Sequence, residues 1–227
     1  MNMYSLLASD ATMLDKIANF YEKGGIIMLV LTACSVLTVA VIVYKFLHLD
    51  KKRIMPDELV HDIETAALTP TESALIEVAS RSRDEDSVLA RLTQVVVKHK
   101  DRSPDMVRDA VQSMAREEIV KMQSGIGTLD VVIVVAPMLG LLGTASGITT
   151  VFDGMSSLGD IKMSIMAQGV AEALTTTIAG LAVAVPAVIG HSFFNRKIET
   201  YASRLEVVVG NMVHVLLPSD SSSEDNQ

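Results

Sequence analysis

The chain has 227 residues, a formal net charge of -8, 49% hydrophobic residues and a mean hydropathy of +0.38. An acidic chain of this kind gives no support for nucleic-acid binding, which usually shows a basic patch. Its one cysteine, Cys34, excludes a disulfide within the chain and a metal site built from cysteines. The charges lie in a few blocks between long uncharged runs, which is typical of a membrane protein. We also expect no cofactor.

The first predicted element is residues 1–25, a short amphipathic helix on the outer side of a membrane. Its apolar residues Met13, Ile17, Phe20 and Tyr21 recur at helical spacing. Acidic residues stand where a signal peptide would carry a basic start, so we expect this segment to remain in the mature protein.

Three uncharged runs are long enough to cross a bilayer, which takes about 20 apolar residues. The first two predicted transmembrane helices cover residues 26–44 and 131–152, and the third covers 167–195, with its uncharged run at 173–195. The sequence therefore predicts an all-α integral membrane protein with three transmembrane helices and long helical extensions.

The flanking basic residues predict the orientation of these helices. The loop 153–166 holds Lys162 alone, whereas basic residues follow the first and third helices: Lys45, Lys51, Lys52, Arg53, Arg196, Lys197 and Arg204. Because Lys and Arg are enriched in cytoplasmic loops, this asymmetry places the N-terminus and the loop outside and the C-terminus in the cytoplasm.

The cytoplasmic parts, residues 45–130 and 196–217, are predicted to be helical. Helix starts are expected at Pro56, at a capping box of Thr69, Pro70 and Glu72, and at Ser103 and Pro104. No strong helix breaker follows until Gly125 and Gly127, so the helix that begins at Pro104 is expected to continue into the second span. The polar, acidic tail 218–227 is predicted to be disordered.

Small residues recur in the second and third spans. Gly143 and Gly147 form a G-x-x-x-G pair near Gly140, and Gly180 with Ala184 repeats the spacing. Small residues let helix backbones approach closely, so we expect these positions to pack the two helices together.

Seven hydroxyl side chains lie in the same two spans: Thr144, Ser146, Thr149, Thr150, Thr175, Thr176 and Thr177. A threonine in lipid can bond to its own helix backbone, and we expect most of them to do so. Thr144 and Thr177 are expected at one level, where they could line a polar seam. Glu172 has two open interpretations: an ion route, or an interfacial carboxylate that reaches water. His191 is interpreted as an interfacial residue at the cytoplasmic end.

The stretches "APMLGLLGTASGI" and "GVAEALTTTIAGLAVAVPAV" resemble the ExbB/TolQ/MotA proton-channel family, and the ExbB and TolQ branch most closely. The resemblance implies a homopentamer around a dimer of single-span ExbD- or TolR-like partners, which supply the titratable aspartate. It also implies a bacterial inner-membrane protein that drives a TonB- or TolA-like energy transducer with the proton motive force.

The resemblance also assigns individual residues. The pore threonines of the family fall on Thr144 and Thr177, with Thr176 beside them, and its glutamate falls on Glu172. Its prolines fall on Pro137 and Pro186. The chain departs from the family pattern in "GTASG", where the ExbB and TolQ pattern has a tryptophan, and in Thr175 and Thr176, where aliphatic residues are usual.

The predicted function is therefore a proton-channel subunit that energises TonB-dependent outer-membrane transport, with protons favoured over sodium as the coupling ion. A TolQ-like role in envelope integrity and cell division and a non-conducting membrane scaffold are the alternatives. An intramembrane protease is rejected, because Ser146 lies in the outer half of its span and His191 at the inner end. We expect no enzymatic activity.

Overall fold

The structure is a computed structural model that describes residues 3–68, 72–157 and 163–216. Side chains are described for these residues with the exception of positions 3–24, 72, 104, 154–157, 163–165, 168, 172 and 215–216. The expected helix start at Thr69 and Pro70 and the tail 218–227 lie outside the described residues.

All regular structure in the described ranges is helical, which confirms the predicted all-α class. The helices are α1 (Met3–His48), α2 (Lys51–Ile54), α3 (Asp57–Leu68), α4 (Glu72–Arg81), α5 (Val88–Lys98), α6 (Pro104–Gln123), α7 (Ile126–Ser157) and α8 (Met163–Leu216), with a 3-10 turn at Ser82–Asp84. Among the described residues, three segments are long and apolar enough to cross a membrane; they lie within Gly25–His48, Asp105–Asp153 and Gly169–His214.

Helix α1 is interrupted at Gly25, which adopts φ 54° and ψ -149°. This left-handed backbone conformation is open to glycine at little cost and is unfavourable for other residues. The predicted border between the N-terminal segment and the first span falls at this residue.

The helix expected to continue from Pro104 into the second span is instead two helices. Helix α6 ends at Gln123, the amide of Ser124 donates to the carbonyl of Val120 at 3.0 Å, and Gly125 follows with φ 83°. A single glycine in the left-handed conformation is a common way to end a helix. The expectation was wrong because Gly125 adopts this conformation and separates the two helices.

The chain divides into two compact units. The span unit comprises Met1–Val43 and Gly125–Ser192, and the extension unit comprises Tyr44–Ser124 and Phe193–Gln227. The division falls within α1 and within α8, so both helices contribute to both units.

The extension unit has a core of large aliphatic and aromatic side chains. Consecutive helices pack in pairs from α3 to α6. The side chains that are at most 1% exposed include Ile63, Leu75, Leu89, Leu92, Val107, Ile198, Leu205 and Met212. Apolar side chains at helical spacing are thereby removed from water, which is the dominant favourable term in folding.

Two charged groups are buried in the extension unit with partners. The Lys45 ammonium donates to the carbonyl of Met122, at the end of α6, at 2.7 Å. The Glu118 carboxylate accepts from Arg91 at 2.8 Å and from Lys121 at 3.1 Å. Burial raises the pKa of Glu118, but the hydrogen bonds and charges of Arg91 and Lys121 outweigh it and leave the pKa below its ordinary value.

Candidate functional site

Helices α7 and α8 approach each other closely where both carry small residues. A methyl group added at Gly140 would lie 3.0 Å from the carbonyl oxygen of Thr176 and from the Cα of Thr177. A methyl group at Gly180 would lie 2.5 Å from the carbonyl oxygen of Ala136. A side chain at Gly180 would require the backbones to move, and one at Gly140 would press on its neighbours, so the glycines allow the two backbones to approach this closely.

The same contact continues along the C-terminal half of α7. A methyl group at Gly143 would lie 2.7 Å from the Cβ of Thr176, and one at Gly147 would lie 3.1 Å from the Cβ of Ala173. The four glycines of the predicted packing set therefore lie at one helix–helix contact.

Thr144 and Thr177 meet at this contact. Their hydroxyl oxygens are in direct hydrogen-bond contact. The Thr144 hydroxyl also lies 3.0 Å from the carbonyl oxygen of Ala173, and the Thr177 hydroxyl lies 3.2 Å from that of Gly140. The structure thus brings together the two threonines that the sequence places at one level.

The threonine pair is a neutral cluster of acceptors. Each hydroxyl has one proton to donate and two lone pairs, and the carbonyls of Gly140 and Ala173 only accept. Two hydroxyl protons therefore face more acceptor sites than they can occupy. Both side chains are half-buried. Such a cluster can accept a hydrogen bond from a proton-bearing group or solvate a cation. Because it has no ionisable group of its own, it cannot hold a proton at ordinary pH.

Thr176 has a different environment from its neighbour. Its side chain is 3% exposed, and its hydroxyl donates to the carbonyl of Ala173 at 2.8 Å with the carbonyl of Gly140 at 3.3 Å. It fills the space that Gly143 leaves open. This placement gives Thr176 a packing role between α7 and α8.

The other predicted site residues lie in the same two helices, α7 and α8. Pro137 lies inside α7 and Pro186 inside α8, and both helices continue through them. Glu172 belongs to α8, and its side chain lies outside the described ones. The remaining threonines bond to the carbonyl four residues earlier, at 2.9 Å for Thr149, 3.0 Å for Thr150 and 2.7 Å for Thr175.

One contact between a histidine and a carboxylate in the span unit was not predicted from the sequence. Nε2 of His191 lies 3.0 Å from Oδ1 of Asp130. Asp130 precedes Thr144 by 14 residues and His191 follows Thr177 by 14 residues, so two antiparallel helices that meet at the threonines also meet here. These equal separations can be read from the sequence, and they could have predicted the contact. Within the described ranges no cluster of His, Cys, Asp and Glu is suited to a metal ion.

These features define an all-helical membrane protein with three candidate spans, two of which meet at a hydroxyl pair. Residues 80–207, more than half of the chain, match the MotA/TolQ/ExbB proton channel family, and the chain belongs to this family. The predicted family resemblance is therefore confirmed.

Named relatives come from both branches of the predicted resemblance. The chain is 29% identical to a putative biopolymer transport protein ExbB-like 1 of Synechocystis, over 77% of this chain and 68% of that one. It is 25% identical to biopolymer transport protein exbB1 of Vibrio cholerae, over 85% of both. It is 29% identical to the Tol-Pal system protein TolQ of Pseudomonas aeruginosa, over 63% of this chain and 69% of that one.

Proposed function

We propose that this chain is the multi-span subunit of a proton-driven complex in the bacterial inner membrane, and that it energises TonB-dependent transport across the outer membrane. The observation that carries the proposal is the contact between the Thr144 and Thr177 hydroxyls. Family membership and the ExbB relatives support the choice of this activity.

A proton route across lipid needs a titratable group near its middle, and the sequence has none at the level of the threonine pair. A carboxylic acid there must come from a partner, for which an aspartate on a dimer of ExbD- or TolR-like single-span proteins is the candidate. The Thr144 and Thr177 hydroxyls would accept a hydrogen bond from the neutral acid and donate hydrogen bonds to the carboxylate. Either protonation state would then have hydrogen-bond partners in a medium where an unpartnered charge is costly.

In this proposal several copies of the chain, five by the family resemblance, surround the partner dimer. The N-terminus is periplasmic and the C-terminus cytoplasmic, as the distribution of Lys and Arg favours. Moving one elementary charge through 100 mV releases about 2.3 kcal/mol, so a few protons per step suffice to drive a rearrangement. A TonB- or TolA-like transducer would carry the work outward.

The first prediction tests the threonine pair. Thr144→Val and Thr177→Val together keep the shape of both side chains and remove both hydroxyls. The variant should assemble normally with the single-span partner. Proton flux into vesicles that contain the co-purified complex should fall at least about tenfold, since a hydrogen bond to a charged group contributes about 1.5–3 kcal/mol and about 1.36 kcal/mol is tenfold in rate.

The matched control is Thr175→Val, which removes a hydroxyl that bonds to the carbonyl of Ala171 in its own helix. This variant should conduct protons like the wild type. Undiminished flux through the Thr144 and Thr177 double variant would rule out the proposed role. Flux that is absent from the wild-type complex would favour the non-conducting scaffold.

A TolQ-like role in envelope integrity and cell division is the second candidate, and the relative from Pseudomonas aeruginosa favours it. Complementation distinguishes the two. The chain, expressed with its own single-span partner, should restore TonB-dependent uptake in cells that lack that system. Restoration of detergent resistance in cells that lack the Tol system, without restored uptake, would reverse the order of the candidates.

A further inference from the structure

The extension unit carries a groove between α6 and the C-terminal part of α8, with a volume of about 500 Å³. The apolar side chains of Val111, Ile119 and Val209 lie along it. Arg108 and Arg116 lie two turns apart on its α6 edge, both exposed. The groove therefore combines an apolar floor with one basic edge.

The α8 edge of the groove is more open. It carries Glu206, the one carboxylate among the residues that line the groove, and Gly210, where an added methyl group would meet no atom within 4 Å. An incoming helix can therefore approach this edge closely. The charge of Glu206 favours an occupant whose acidic groups lie toward the α6 edge instead.

Another face of α6 presents the complementary chemistry. Met106 and Val120 are 53% and 64% exposed, although both are large and apolar. They lie on one line along the helix with Ser113, because residues seven positions apart in an α-helix share a face. Exposed Asp109 and Glu117 flank this line, and Glu117 forms an ion pair with Lys121 of the same helix at 2.8 Å. We call Met106, Asp109, Ser113, Glu117 and Val120 the α6 stripe.

The groove and the stripe match in height as well as in charge. Asp109 follows Arg108 and Glu117 follows Arg116, so each acidic group lies within about 1.5 Å, along the helix axis, of a basic group. Rotation about an axis parallel to α6 leaves every residue at its own height. In a cyclic ring around such an axis, the acidic stripe of one copy would therefore face the basic edge of the next at the same level.

We propose that the groove between α6 and α8 receives the α6 stripe of a second copy of this chain. The contact uses different surfaces on the two copies, which is the kind of interface that closes into a ring. The assignment rests on the proposed function for the existence of a ring and adds to it the surfaces that hold the ring together. Met106 and Val120 would leave water in this contact.

Cysteine cross-linking of the full chain tests the assignment directly. In a Cys34→Ser background, one tagged copy carries Gln112→Cys at the groove, and a second, differently tagged copy carries Ser113→Cys on the stripe. Co-expressed with the single-span partner and oxidised in native membranes, they should form a disulfide-linked dimer that carries both tags. The control replaces the groove cysteine with Ser80→Cys on α4, which is exposed outside the groove and should yield no such dimer.

Charge reversal provides a second measurement. Arg108→Asp and Asp109→Arg should each lower the yield of the cross-linked dimer about fivefold, the effect of about 1 kcal/mol per contact. The two together should restore it. Adjacent residues on a helix do not face each other, so recovery cannot come from a pair between the two exchanged residues of one copy.

Native mass spectrometry separates the possible failures. A ring that forms without the mixed-tag dimer overturns the assigned surfaces and leaves the proposed function intact. A chain that stays monomeric with its partner present overturns both. A dimer of equal yield from the Ser80→Cys control also overturns the assignment, because the cross-link would then report collisions.

Discussion

The extension unit and the span unit differ in the kind of packing inside each of them. In the extension unit, side chains such as Leu89 and Leu92 are completely buried and fill the space between helices. In the span unit, α7 and α8 meet at Gly140 and Gly180, where the lack of a side chain brings the backbones together. In water, the hydrophobic effect drives the burial of large apolar groups. Lipid is as apolar as leucine, so helices in a membrane associate through close packing and hydrogen bonds instead.

The comparison predicts that the extension unit is most sensitive to the removal of carbon atoms. Leu92→Ala leaves a cavity at a position that is 0% exposed, and it should lower the free energy of unfolding by about 2–5 kcal/mol. Leu68→Ala, at a position that is 83% exposed, should change it by less than about 0.5 kcal/mol. Denaturant unfolding of the purified chain in mild detergent, followed by circular dichroism, measures both. Equal losses would contradict a core built on large side chains.

The span unit should instead be most sensitive to the addition of carbon atoms. Gly180→Ala places a methyl group 2.5 Å from the carbonyl oxygen of Ala136, and it should cost about 1–3 kcal/mol as α7 and α8 move apart. The control is Gly127→Ala, where no atom lies within 4 Å and the helix gains up to about 1 kcal/mol. Thermal unfolding of both variants in the same detergent provides the measurement. A Gly180→Ala variant as stable as the control would show that the glycines are not required for packing.

The contrast also explains which features could be predicted from the sequence. The three uncharged runs and the small-xxx-small pairs are local patterns with one physical cause each, and they predicted the helical class and the glycine contacts. The rise per residue indicated that Thr144 and Thr177 could share a level. Features that depend on a single backbone dihedral angle were harder to predict. The left-handed conformation of Gly125 ends α6, and the sequence shows only that a glycine permits this conformation.

The surroundings of individual side chains also could not be predicted from local sequence patterns. Thr176 and Thr177 are adjacent and identical in chemistry, yet one hydroxyl lies buried against Gly143 and the other meets Thr144. Which face of α8 contacts α7 decides between them, and that choice depends on the packing of the whole helix pair. The grouping of Thr176 with the pore residues remains a prediction, and its burial favours packing.

The smallest expected effect is at the contact of Asp130 and His191, which connects α7 and α8 beyond the glycine contact and is an ion pair when His191 is protonated. The side chains are 59% and 26% exposed, and pairs of this exposure usually contribute about 0.2–1 kcal/mol. A double-mutant cycle of Asp130→Asn and His191→Gln, measured by thermal unfolding, should give a coupling energy in that range that shrinks in high salt. A coupling above about 2 kcal/mol that salt leaves unchanged would indicate a pair shielded from water. The span unit would then depend on a charge pair as well as on close backbone contact.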